Sequence, residues 1–147
     1  MGMAERVISE EVTILVVDDD DIDAMGIERA LKSLRILNPM VRARDGIEGL
    51  ALLRSHGAVR RPYIILLDIN MPRMNGLEML AVLREDPIIS SAVVFVLTTS
   101  KIDEDRVAAY AKHVAGYIVK SEMCDGFMRV IEMLDRYWRI VELPTKS

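Results

Sequence analysis

The chain has 147 residues, a length typical of one domain, and 51% of them are hydrophobic, which is enough to form a core without disulfide bonds. Its formal net charge of −4 argues against sequence-independent binding of nucleic acid, which requires clustered Lys and Arg. The single cysteine, Cys124, excludes an internal disulfide framework, and every apolar run is too short to cross a membrane. We therefore expect a cytoplasmic protein with no direct nucleic-acid or membrane partner.

Short apolar runs alternate with segments of helical periodicity, and the runs predict strands. They are apolar at consecutive positions, as expected of parallel strands covered on both faces. The predicted strands are Thr13–Val17, Val41–Ala43, Tyr63–Leu67, Val93–Leu97 and Gly116–Val119. The predicted helices are Ile22–Leu37, Gly46–Ser55, Leu77–Arg84, Glu104–Lys112 and Cys124–Val141. Five such units predict one α/β domain with a doubly wound, open parallel sheet.

This domain is predicted to span residues 12–141, between an N-terminal leader (1–11) and a C-terminal tail (142–147). In its first helix, one apolar stripe is expected to face the core: Ala24, Ile27, Leu31 and Leu34. Ile22 and Met25 point elsewhere. The acids Asp20 and Asp21 are interpreted as caps of that helix, and Asp45 as the cap of the second.

The last predicted helix carries more apolar surface than one core contact needs. Its first stripe consists of Phe127, Ile131, Leu134 and Trp138, and a second, adjoining stripe consists of Val130, Met133, Tyr137, Ile140 and Val141. Together they cover about half of the helix, whereas one core face needs about 100°. The second stripe predicts a homodimer through the C-terminal helix. The alternative is that the tail 142–147 folds back over it.

Polar side chains follow four of the apolar runs directly. Asp18 and Asp19 follow the first run, Asp68 the third, Thr98 the fourth and Lys120 the fifth. The carboxyl ends of parallel strands lie on one edge of the sheet, where ligands bind in such folds. We therefore expect three carboxylates, a hydroxyl and an ammonium group to converge there.

Clustered carboxylates repel one another, and a divalent cation such as Mg²⁺ is their natural counter-ion. We expect Asp19 and Asp68 as direct ligands, Asp18 as a ligand through water, and the main-chain carbonyl of Asn70 as a further ligand. A carboxylate can attack a phosphoryl group and form an aspartyl phosphate. In that reaction the metal and Lys120 would neutralise the charge on the phosphoryl oxygens, and Thr98 could donate a hydrogen bond to one of them.

A family resemblance rests on four segments: Val16-Val17-Asp18-Asp19, Leu67-Asp68-Ile69-Asn70-Met71-Pro72 with Gly76, Leu97-Thr98-Thr99, and Tyr117-Ile118-Val119-Lys120. Together they resemble the receiver domain of bacterial response regulators, from about Val12 to Val141. The resemblance implies a flavodoxin-like sheet of order 2-1-3-4-5 with five helices, Asp18 and Asp19 as metal ligands and Asp68 as the phosphoacceptor. It also implies Thr98 as the switch hydroxyl and Tyr117 as the switch aromatic residue.

The long first loop and the ending Tyr137-Trp138…Leu143-Pro144 resemble a narrower group, the small receivers encoded with bacterial phytochromes. That likeness implies a stand-alone response regulator that receives phosphate from a sensor histidine kinase, such as a bacteriophytochrome. It would signal by protein contact and would not be a turnover enzyme.

Two positions depart from the family pattern. Ser121 stands where receivers have a cis proline, and Thr99 replaces a small residue.

Two other functions remain open at this point. One is a pseudo-receiver that binds partners without taking phosphate, which the Ser121 departure keeps under consideration. The other is an aspartyl-phosphate hydrolase, but such enzymes typically need a second acid two residues after the nucleophile, where this chain has Asn70.

Overall fold

A computed structural model describes residues 12–55, 57–99, 103, 107 and 113–129. Its complete elements are β1 (Thr13–Val17), α1 (Asp21–Ser33), β2 (Met40–Ala43), α2 (Gly46–Arg54), β3 (Tyr63–Asp68), α3 (Gly76–Glu85), β4 (Val93–Thr98) and β5 (Gly116–Val119). A 3₁₀ turn, Lys120–Glu122, follows β5, and residues 123–129 are helical. Residues 103 and 107 are also helical, within or beside the predicted fourth helix. The leader, the tail and the second stripe of the last helix lie outside the described residues.

The five strands form one parallel sheet in the order β2-β1-β3-β4-β5. This is the predicted flavodoxin-like topology, and it is confirmed. The chain reverses direction across the sheet between β1 and β3, and such a switch point opens a crevice at the carboxyl ends of the strands. β1 and β3 are neighbours in register, with Val17 beside Leu67, so the residues that follow them are brought together.

Helices cover both faces of the sheet, which explains the continuous apolar strands. On one face, Ile27 and Leu31 of α1 and Phe127 of the last helix pack against alternate strand residues. On the other face, Leu50 of α2 and Met79 and Leu83 of α3 pack against the remaining ones. All five residues of β1 are buried, as a strand with two covered faces requires.

The end of α1 was predicted wrongly. The helix ends at Ser33 rather than Leu37, because Leu34 is its C-cap and Arg35 has a left-handed backbone with φ of 60°. Ile36 then turns back into the core. No glycine marks this stop, so the pattern gave no signal for it. The other helix and strand ends of the complete elements differ from prediction by at most one residue.

Of the two caps predicted for α1, one is confirmed and the other is wrong. Asp20 is the N-cap of α1 and accepts hydrogen bonds from the main-chain N–H groups of Ile22 and Asp23. Asp21 is not a cap, since it pairs with Arg42 and Arg44 instead. Asp45 caps α2 as predicted, by accepting from the N–H of Glu48. Within the described residues, no helix is long and apolar enough to span a membrane.

Candidate functional site

Three carboxylates meet at the carboxyl ends of the strands, as the sequence predicted. Asp18 and Asp19 follow β1, and Asp68 is the last residue of β3. One oxygen from each lies within 4.8 Å of the others. Asp18 is fully buried, Asp68 is 3% exposed and Asp19 is exposed. The site is therefore buried at Asp18 and Asp68 and open to solvent at Asp19, which we call its mouth.

The main chain at Asp18 is fixed from several sides. Its N–H donates to the carbonyl of Ala43 at 3.0 Å, which continues the pairing of β1 with β2. Its carbonyl accepts two hydrogen bonds from Arg42 of β2, from Nε at 3.1 Å and from Nη2 at 2.9 Å. The third nitrogen of that guanidinium, Nη1, lies 2.5 Å from Asp21. Sequence reasoning missed Arg42, because a charged residue in a short edge strand has no distinctive pattern.

Lys120 reaches into the acid cluster from the end of β5. Its Nζ lies 3.0 Å from Asp18 Oδ2 and 3.3 Å from Asp68 Oδ1, and its side chain is only 15% exposed. A third carboxylate, Asp23 of α1, lies closer still, at 2.7 Å. Asp23 was also missed, because it lies on a helix and not at the end of a strand.

Thr98 and Tyr117 lie on the neighbouring strands β4 and β5. Thr98 is fully buried at the end of β4, and its Oγ1 has no hydrogen-bond partner within the described residues. Tyr117 lies beside Val96 in the sheet and is half-buried against the α2–α3 side of the core. The structure thus places Thr98 at the end of the strand next to β3, while Tyr117 lies on the following strand.

The loop after β3 is held by contacts at both of its ends. The N–H of Asn70 lies 3.5 Å from Asp68 Oδ1, and Arg73 donates to the buried carboxylate of Asp45 at 2.7 Å. At the start of α3, Gly76 packs so tightly on the main chain of Asp68 that a Cβ there would overlap the Asp68 carbonyl oxygen. Glycine is required by this close approach.

Burial raises the pKa of Asp68 to about 6, with the nearby charge of Asp18 adding to the effect and Lys120 opposing it. Burial also raises the pKa of Asp18, although Lys120 and the N–H of Asp20 oppose it. For Lys120, burial alone lowers the pKa, but its contacts with Asp23, Asp18 and Asp68 outweigh burial and raise it. The lysine is therefore charged at neutral pH, while the pKa of Asp68 lies only about one unit below neutral pH.

The acid cluster fits a divalent cation on the evidence of its own atoms. Asp18 Oδ2 is buried and has no hydrogen bond of acceptable geometry within the described residues, although Lys120 is near. A buried carboxylate is costly unless cations or donors offset its charge, and Asp18 shares the ammonium group of Lys120 with Asp23 and Asp68. Oxygen-only ligands with room for water at an exposed mouth suit Mg²⁺ or Mn²⁺.

The turn after Lys120 differs from the family pattern in conformation as well as sequence. Arg61–Pro62 is the one cis peptide bond within the described residues, so Lys120–Ser121 is trans. Ser121 is exposed and continues the 3₁₀ turn. Thr99 is also exposed, and its hydroxyl donates to Asp103.

A doubly wound sheet with an acid cluster and a lysine at the carboxyl ends of its strands is the arrangement expected of a receiver domain. A family model described as the response regulator receiver domain matches residues 14–132, which is most of the chain. The chain therefore belongs to the receiver domain family of response regulators.

Similar individual proteins support the same assignment. The response regulator Rcp1 of Synechocystis sp. is 33% identical over 135 residues, which cover 89% of this chain and 92% of Rcp1. The structure of the bacteriophytochrome response regulator AtBRR matches with a TM-score of 0.76 and 31% identity, over 88% of this chain and 96% of AtBRR.

Two further structures carry information on ligands. The phosphorylated cyanobacterial phytochrome response regulator RcpA matches with a TM-score of 0.67 and 30% identity, over 91% of this chain and 99% of RcpA. The Mn²⁺-bound form of Rcp1 matches with a TM-score of 0.63 and 32% identity, over 92% of this chain and 96% of Rcp1.

Proposed function

We propose that this protein is a response regulator that accepts a phosphoryl group on Asp68 from a sensor histidine kinase and signals by contact with other proteins. The observation that carries the proposal is the position of Asp68: it is a buried carboxylate within 4.8 Å of two other acids and 3.3 Å from Lys120. A phosphorylated relative and a metal-bound relative with the same fold support the same chemistry.

In the proposed reaction, a carboxylate oxygen of Asp68 forms a bond to phosphorus while the bond from phosphorus to the kinase's histidine nitrogen breaks. That nitrogen leaves with the electron pair of the broken bond. Asp18, Asp19 and Asp68 would hold Mg²⁺, which supplies positive charge for the phosphoryl oxygens when bound. Lys120 would supply a second positive charge, and the Thr98 hydroxyl, which has no hydrogen-bond partner within the described residues, would donate a hydrogen bond to a phosphoryl oxygen.

The phytochrome link is the finer part of this proposal. AtBRR and RcpA are both named as phytochrome response regulators, and this chain covers nearly all of each. We propose a phytochrome-type histidine kinase as the phosphodonor. On the same view the protein catalyses its own phosphorylation and dephosphorylation but is not a turnover enzyme.

The direct test is incubation with acetyl phosphate and Mg²⁺, followed by intact mass measurement. The native protein should gain one phosphoryl group, and Asp68→Asn should gain none. The control is Asp86→Asn, which changes the C-cap residue of α3 and should be labelled like the native protein. Equal labelling of Asp68→Asn would refute the assignment of the acceptor. A folded native protein that binds Mg²⁺ but takes no phosphate would be a pseudo-receiver.

We also propose a homodimer through the C-terminal helix. Phe127, the member of the first stripe that lies within the described residues, is fully buried in the core. By its helical spacing in the sequence, the second stripe is predicted to lie on the adjoining face. Light scattering should give the mass of a dimer for the native protein and of a monomer for Met133→Glu with Tyr137→Glu. A native monomer at high concentration, phosphorylated or not, would refute the dimer.

A further inference from the structure

The best-formed hydrogen bond of Lys120 goes to Asp23 and not to the acceptor. Its Nζ donates to Asp23 Oδ2 at 2.7 Å. The contacts with Asp18 and Asp68, at 3.0 and 3.3 Å, are within ion-pair distance, but Asp18 Oδ2 has no hydrogen bond of acceptable geometry within the described residues. Before phosphorylation the ammonium group is therefore drawn toward α1.

The three carboxylates around Lys120 differ in their access to water. The side chain of Asp18 is fully buried and that of Asp68 is 4% exposed, whereas that of Asp23 is 37% exposed. Breaking an ion pair leaves little penalty where water can solvate the released carboxylate, and a large one where it cannot. Of these three ion pairs, the one with Asp23 can thus be broken at the lowest cost in free energy.

We propose that Asp23 is a positioning residue that holds Lys120 on α1 before phosphorylation and competes with the phosphoryl group for it. The inference rests on the function proposed above. A phosphoryl group on Asp68 carries more negative charge than the carboxylate it replaces and has three acceptor oxygens, so it attracts Lys120 more strongly than Asp68 does alone. Lys120 then leaves Asp23, which returns to water.

The competition has a size that can be measured. Exposed and partly exposed ion pairs contribute about 0.2–1 kcal/mol, and the upper part of that range, about 0.4–1 kcal/mol, corresponds to about a two- to fivefold change in an equilibrium constant. Removing the charge of Asp23 should therefore tighten binding of a phosphoryl analogue by about two- to fivefold. Because the effect acts through Lys120, it should disappear when the lysine is absent.

The experiment is a double-mutant cycle in the full chain, with calorimetric titration of beryllofluoride at saturating Mg²⁺. The four proteins are the native chain, Asp23→Asn, Lys120→Gln and the double variant. Asp23→Asn should bind beryllofluoride more tightly than native, and the same change should have no effect on Lys120→Gln. The matched control is Glu28→Gln. It also removes one negative charge from α1, but Glu28 pairs with Lys32 and not with Lys120, so this variant should bind beryllofluoride like the native chain.

The outcomes separate the inference from the proposed function. Unchanged or weaker binding by Asp23→Asn would overturn the inference, as would equal tightening in the Lys120→Gln background, which would indicate a general charge effect. A native protein that binds no beryllofluoride in the presence of Mg²⁺ would instead refute the proposed function. Thermal melts of all five proteins establish that the comparison is between folded chains.

Discussion

Replacement of Asp68 by Asn should stabilise the protein at neutral pH when divalent cations are absent. Burial raises the pKa of Asp68 from 3.8 to about 6 in the folded chain. Because the folded pKa lies above the unfolded one, the fold favours the protonated acid. Relative to a neutral side chain, native Asp68 therefore costs nothing below about pH 4, and its cost grows as the pH rises through about 6. Asn imitates the protonated acid and avoids the cost.

The magnitude follows from the two pKa values. The penalty for ionised Asp68 is about 1.5 kcal/mol at pH 5 and about 3 kcal/mol at pH 7.5. For a chain of this length, about 3 kcal/mol raises the melting temperature by about 6–12 °C. The measurement is urea and thermal unfolding of both proteins with a chelator present, at pH 5 and pH 7.5.

The advantage of Asp68→Asn should be about twice as large at pH 7.5 as at pH 5. Mg²⁺ should reduce it, because the cation binds the native site better than the variant and so stabilises the native fold. Asp86→Asn is a control whose effect on stability should have the opposite sign. The carboxylate of Asp86 accepts a hydrogen bond from the N–H of Ile88 and pairs with Arg54, and both contacts lower its pKa, so the native ionised form should be the more stable one at neutral pH. A gain for Asp68→Asn that does not change with pH would refute the reasoning.

Three more predictions follow from the same site. Thr98→Val should leave the unphosphorylated fold stable within about 1 kcal/mol, because the hydroxyl has no hydrogen-bond partner within the described residues, yet weaken beryllofluoride binding; a large loss of melting temperature would contradict this. Met25 is an exposed residue of α1, and Met25→Glu should slow phosphotransfer from the cognate kinase but not acetyl-phosphate labelling, whereas Ile88→Glu, at another exposed position, should change neither; a parallel loss of both reactions in Met25→Glu would mean a structural role. Arg42→Lys should weaken Mg²⁺ binding by about two- to tenfold, because lysine cannot keep both contacts with the Asp18 carbonyl; an unchanged affinity in calorimetry would contradict this.

The sheet could be predicted because its strands are covered on both faces. Burial on both sides forces consecutive apolar residues, and the end of each run then locates the carboxyl edge of the sheet, where Asp68 and Lys120 were expected. The family resemblance added the switch roles of Thr98 and Tyr117, which an isolated threonine and tyrosine do not indicate.

What the sequence could not predict depends on contacts between distant positions or on local backbone shape. The Lys120–Asp23 hydrogen bond joins residues 97 positions apart, and Asp23 reads as one more acid in the first turn of a helix. Arg42 reads as an ordinary charged residue of an edge strand. The stop of α1 depends on a left-handed Arg35, a conformation that glycine usually signals and arginine does not.

The charge of the site explains why metal binding should precede phosphorylation. Lys120 is shared by Asp18, Asp23 and Asp68, and Asp19 adds a fourth carboxylate at the mouth. At neutral pH this arrangement is net negative, which repels an incoming phosphoryl group, and burial, with a smaller effect of the nearby Asp18 charge, raises the pKa of Asp68 to about 6. Two added positive charges would lower that pKa and leave Asp68 ionised, as a nucleophile must be. The buried carboxylate of Asp68, whose ionisation destabilises the metal-free fold, is therefore the same group that makes the proposed reaction depend on a divalent cation.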